Sequence, residues 1–115
     1  MTAGLFAAAL LLVGAVWSGA DAAPDQAVAV TVSRDGFQPR EISVRKGETV
    51  RLAVKSADGE HCFAVDDLRI EKRVLPGRAT VVDITPDKTG TFPFYCCLET
   101  GAAADKQRGR LVVTE

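Results

Sequence analysis

Three cysteines and one histidine carry the reactive chemistry of this chain. Cys96 and Cys97 are adjacent within the run Phe92-Pro93-Phe94-Tyr95-Cys96-Cys97-Leu98-Glu99, and His61-Cys62 forms a second adjacent pair upstream. Thiolate sulfur and imidazole nitrogen are ligands for soft and borderline ions, copper and zinc foremost. Iron–sulfur clusters fit less well, because they ordinarily take four cysteines. Met1 is the only methionine, so a bound ion must be held by thiolates and one imidazole, with a carboxylate as the remaining choice. Three thiols cannot all pair within the chain; at least one is left for a metal, for a partner chain, or free. No Ser-His-Asp arrangement, paired-carboxylate framework or phosphate-cradling glycine loop accompanies them, which argues against an enzyme.

The elements that must position these residues are strands. Val28, Val30 and Val32 alternate with Ala29 and Thr31, the period of a half-buried strand. Further alternating runs follow at 41–44, 50–54, 62–65, 79–85, 91–96 and 110–114, with Leu68-Arg69-Ile70 and Val74 between the third and fourth of them. The turns between them are Asp35-Gly36, Lys46-Gly47, Ala57-Asp58-Gly59, Pro76-Gly77 and Lys88-Thr89-Gly90. Short strands at such spacing predict an all-β sandwich. One short helical turn is expected at Ala102-Ala103-Ala104. Phe92, Phe94 and Cys96 share one strand face, so the Cys96 thiol should point inward. Phe37 and Phe63 join Phe92 and Phe94 as expected core.

The 115 residues support one domain. The run from Leu5 to Trp17 is apolar but short for a bilayer span, and small residues follow it to Ala23. That is the pattern of a secretory signal peptide over 1–22, leaving 23–115 as an exported domain, periplasmic or secreted, with no membrane span of its own. Formal net charge is −1 with both signs interspersed, which argues against a nucleic-acid partner.

From Val28 to Glu115 the chain resembles the cupredoxin family. The matching pieces are Asp35-Gly36-Phe37-Gln38-Pro39, Ile42-Ser43-Val44-Arg45-Lys46-Gly47, His61-Cys62-Phe63-Ala64-Val65, Leu75-Pro76-Gly77, Gly90-Thr91-Phe92-Pro93-Phe94-Tyr95-Cys96 and Gly109-Arg110-Leu111-Val112-Val113. The resemblance implies a Greek-key β-sandwich and tips the metal toward copper, as one or two ions, with zinc as the alternative. It puts His61 at the first ligand position and Cys96 at the thiolate position. Glu99 stands where the family has its second histidine, and Gln107 stands at the axial position. Cys62 occupies the place of an asparagine that clasps the two ligand loops, next to Cys97, so the resemblance implies that these two lie close together. They are then either ligands beside His61 and Cys96 or a disulfide replacing the clasp. The expected function is copper trafficking, storage or metal-centre assembly, with a copper donor, acceptor or redox protein as partner. The alternatives are electron transfer at a mononuclear or thiolate-bridged dinuclear centre, the latter completed across a homodimer, and a metal-free, disulfide-stapled module.

Overall fold

Residues 23–115 are described in the computed structural model, so the segment read as a signal peptide lies outside them. Nine strands form where apolar residues alternate: β1 (Gln26–Ser33), β2 (Gly36–Gln38), β3 (Glu41–Arg45), β4 (Val50–Ser56), β5 (His61–Val65), β6 (Ile70–Val74), β7 (Thr80–Ile84), β8 (Gly90–Tyr95) and β9 (Arg108–Thr114). The sequence α1 (Gly101–Lys106) supplies one short helix. The strands make two sheets, ordered β2-β1-β4-β7 and β3-β9-β8-β5-β6. Two pairs are parallel, β1 with β4 and β3 with β9; each needs a connection that leaves its sheet, which gives the Greek-key sandwich. Among the described residues no helix is long and apolar enough to cross a membrane.

The inner faces pack as the alternation demands. Val30, Val32, Leu52, Val54, Val82 and Ile84 come from one sheet, and Ile42, Val44, Phe63, Phe92, Phe94, Leu111 and Val113 from the other; all are buried. Phe37, Phe63 and Phe94 form an aromatic cluster with ring centroids 5.0–6.0 Å apart. Phe37 meets the other two rings edge-on, and Phe63 and Phe94 are tilted at 42°; such aromatic pairs add to the area term.

Three local differences from the sequence reading have simple causes. The stretch after Asp35-Gly36 continues as β2, because Phe37 pairs with Val32 and enters the aromatic cluster. Residues Asp66–Leu68 form a 3-10 turn that ends at Arg69 in the left-handed region (φ 56°), so β6 begins only at Ile70. Helix α1 extends beyond the three alanines to six residues. Two glycines are required by close approach. Gly36 has φ 125°, and a Cβ there would stand 2.5 Å from the Lys106 carbonyl oxygen; a Cβ on Gly109 would strike the Phe94 ring.

Candidate metal centre

Strands β5 and β8 bring the two strongest donors together at one end of the sandwich. Phe92 and Phe94 face inward, and the same parity turns Cys96 into the interior with 1% of its surface exposed. His61 opens β5 on the face shared with Phe63 and is 3% exposed. Its Nδ1 lies 3.8 Å from Cys96 Sγ. The Cys62 backbone N–H donates to the same sulfur at 3.3 Å.

Gln107 completes the group. It follows α1, is fully buried, and its own carbonyl accepts from the Cys96 N–H at 3.2 Å. The side-chain Oε1 stands 3.2 Å from His61 Nδ1. The amide Nε2 donates to the Arg34 carbonyl over a long 3.5 Å, and that contact fixes which end of the amide faces the imidazole. Nδ1 and Oε1 both carry lone pairs, so a proton or a metal ion must lie between them. One nitrogen, one sulfur and one amide oxygen thus converge from β5, the end of β8 and the end of α1. The set suits a soft or borderline cation, and axial oxygen from glutamine is known chemistry for copper.

The other imidazole nitrogen is occupied from behind. Asp58 Oδ1 lies 2.5 Å from His61 Nε2. The carboxylate also accepts from the Gly59 N–H at 2.7 Å and, through Oδ2, from the Arg34 N–H at 2.9 Å. The His61 contact first, then the two backbone donors, hold Asp58 well below the usual carboxylate range. Asp58 was legible only as a turn residue; its place three residues before His61 in a Ser-x-Asp-Gly turn was the one available signal.

The remaining sequence candidates lie elsewhere. Cys62 and Cys97 form a disulfide with their Cα atoms 5.2 Å apart. In the β5–β8 ladder Ala64 faces Tyr95, and extending that register sets Cys62 opposite Cys97. Both therefore stand on the outer face of the sheet, with Cys96 on the inner face. The expected crowding of three thiols is accordingly divided between one buried free thiol, Cys96, and a cross-strand bridge that joins buried Cys62 to half-buried Cys97. Glu99 is half-buried in the loop, where its N–H donates to the Cys96 carbonyl at 3.4 Å. Its carboxylate makes no hydrogen bond or ion pair among the described residues, and none of their His, Cys, Asp and Glu side chains cluster in threes around a common point. The glutamine, not the glutamate, is what the fold sets beside the histidine.

Comparison with known proteins places this geometry in context. A family model described as "Cupredoxin-like domain" matches residues 5–113. Cytochrome c oxidase subunit 2 of Thermus thermophilus is 31% identical over 80 residues, 70% of this chain and 59% of that protein. The chain spans from 16% to 59% of the length of such curated relatives. Among solved structures, the periplasmic domain of cytochrome oxidase subunit II from Bradyrhizobium japonicum superposes with a TM-score of 0.71 at 21% identity, covering 82% of this chain and 87% of that one. The Cu(I)-bound metal-binding domain of a Cu(I)-exporting P-type ATPase from Streptococcus pneumoniae gives 0.66 at 18% identity, covering 77% and 85%. At these identities the superpositions establish the fold. With nearly the whole sequence matched by the family model and the sandwich order in place, this chain belongs to the cupredoxin-like domain family.

Proposed function

We propose that this protein is an exported copper-binding domain that carries a single ion for trafficking or metal-centre assembly. The observation that carries the reading is the convergence of Cys96 Sγ, His61 Nδ1 and Gln107 Oε1 in the buried end of the sandwich. A copper ion held there supplies a soft cation that exchanges between thiolate-containing sites. The chain's own residues do the rest. Cys96 offers the soft ligand, steadied by the Cys62 N–H. His61 adds a nitrogen whose ring is held from the far side by Asp58. Gln107 adds a neutral, weaker oxygen that a partner's stronger ligand displaces readily. Three donors of this kind favour low-coordinate Cu(I), and the second histidine that would serve both oxidation states is replaced by Glu99, which stays outside the group.

Three observations support an exported setting: the Cys62–Cys97 bridge, which calls for an oxidising compartment; the apolar leader sequence; and the fold shared with periplasmic domains. The bridge also bears on assembly. A copper pair shared across a homodimer required the Cys97 sulfur to face outward as a thiol, and that sulfur is spent on Cys62. The proposal is therefore one ion per chain and a donor or acceptor protein as partner.

Metal analysis of the purified protein tests this directly. Wild type should take up one copper per chain with its disulfide intact, and Cys96→Ala should reduce uptake at least tenfold. Undiminished uptake by that variant defeats the assignment. Zinc in place of copper in the native protein would redirect it. A coloured Cu(II) form that cycles reversibly would reassign the same residues to electron transfer.

A further inference from the structure

The contacts around His61 close into a ring. His61 Nδ1 meets Gln107 Oε1 at 3.2 Å, and Gln107 Nε2 donates to the Arg34 carbonyl at 3.5 Å. The Arg34 N–H donates to Asp58 Oδ2 at 2.9 Å, and Asp58 Oδ1 returns to His61 Nε2 at 2.5 Å. The two peptide groups of one residue, Arg34, thus hold the third donor on one side and the carboxylate behind the imidazole on the other. Arg34 itself sits in the turn between β1 and β2, far in sequence from all three.

From this circuit we infer that Asp58 is a positioning residue for the centre, acting with the Arg34 backbone to set the orientation of both His61 and Gln107. The physical reasons are two. A carboxylate accepts only, so Nε2 carries a proton toward Asp58, and Nδ1 is the nitrogen turned to Cys96 and Gln107, where a metal ion would take the place of a proton. The carboxylate is in turn fixed by two backbone N–H groups, so its own orientation does not drift. Further bonds anchor the turn that carries it: the Asp58 N–H donates to Ser56 Oγ at 3.2 Å, and the Ala57 N–H donates to the Val32 carbonyl at 2.9 Å. A rigid turn, an acceptor and the neighbouring hairpin therefore choose the imidazole face that meets the metal.

The inference deepens the copper reading, and its first test is independent of copper. Nitrogen-detected NMR of metal-free protein should show a proton on His61 Nε2, shifted downfield, in wild type. In Asp58→Ala that signal should lose its downfield shift, and the Gln107 side-chain amide signals should move with it, although the two side chains do not touch. Asp58→Asn, which keeps one carbonyl oxygen for Nε2–H, should restore the histidine signal. A His61 ring signal that stays where it was in folded Asp58→Ala protein overturns the inference, whatever copper does. The second arm uses Cu(I) alone, competed against a chromophoric chelator. Asp58→Ala should weaken binding by about 10- to 100-fold. The double variant Asp58→Ala/Gln107→Leu should fall short of the product of the single losses by about fivefold or more, since both act on one circuit. Simple multiplication of the two losses counts against it. If wild type binds no Cu(I), the copper reading fails while the NMR arm still decides the role of Asp58.

Discussion

The imidazole of His61 is engaged on both sides, and the two sides ask for different things. Toward the interior, Nδ1 faces a thiol sulfur and an amide oxygen; toward the turn, Nε2 faces a carboxylate. Asp58 has its acid strength raised by that contact and by two backbone donors, so its folded-state pKa is depressed. The consequence for stability has a definite sign. The contribution is fully present above the ordinary carboxylate pKa of about 4, and it drains away as pH falls from there through the folded value. Denaturant unfolding of metal-free protein as a function of pH should therefore show wild type losing stability below about pH 4 more steeply than Asp58→Asn. Parallel acid limbs in the two proteins would show that Asp58 is not the responsible group. The other half of the residue story was open to reading from sequence. Cys96 could be placed inward by counting along Phe92 and Phe94, and His61 by its position before a strand. Asp58 could not, because its role depends on Arg34 and Gln107 arriving from 24 and 49 residues away, and no local pattern encodes that meeting.

At the scale of elements, β5 and β8 do the positioning, and the aromatic cluster fixes their relation. Phe63 of β5 and Phe94 of β8 stack 5.1 Å apart, two residues from His61 and Cys96 respectively. His61 and Cys96 are thus each the next inward residue beyond a ring of the cluster. Removing the Phe94 ring should cost about 3–5 kcal/mol, measured by urea unfolding of Phe94→Ala, because the site is too tightly built to collapse. Phe37 and Gly109 both press on that ring, the glycine having no Cβ for this reason. A loss under about 1 kcal/mol would mean that the cluster is not the clamp described. Strand alternation made eight of the nine strands readable. The short β2 was hidden because its three residues, Gly36–Gln38, hold one apolar side chain, and one residue has no period. Likewise α1 is too short to display a helical repeat, and only the family resemblance, not any local pattern, marked Gln107 at its end.

At the scale of the whole molecule, a small sandwich gains from the Cys62–Cys97 bridge. The two cysteines are 35 residues apart, and closing a loop of that size stabilises by about 3–4 kcal/mol in the chain-entropy account. Guanidinium unfolding with and without a dithiol reductant should reveal a difference of this order, with the reduced protein the weaker. Equal midpoints would show that the bridge contributes nothing to the fold. The bridge joins the residue after His61 to the residue after Cys96.

The sheet itself separates two kinds of sulfur. An unpaired thiol entering an oxidising space is ordinarily at risk from the nearest disulfide, and here that disulfide is next door in sequence. Yet the parity of β8, carried one step past its end, turns Cys96 and Cys97 to opposite sides, and Cys96 is only 1% exposed. Shuffling would require the strand end to roll over, against the Gln107 and Cys62 backbone bonds that pin it. Alternation along a strand, the simplest rule in the fold, thereby works as insulation: it turns a free buried sulfur away from its bridged neighbour.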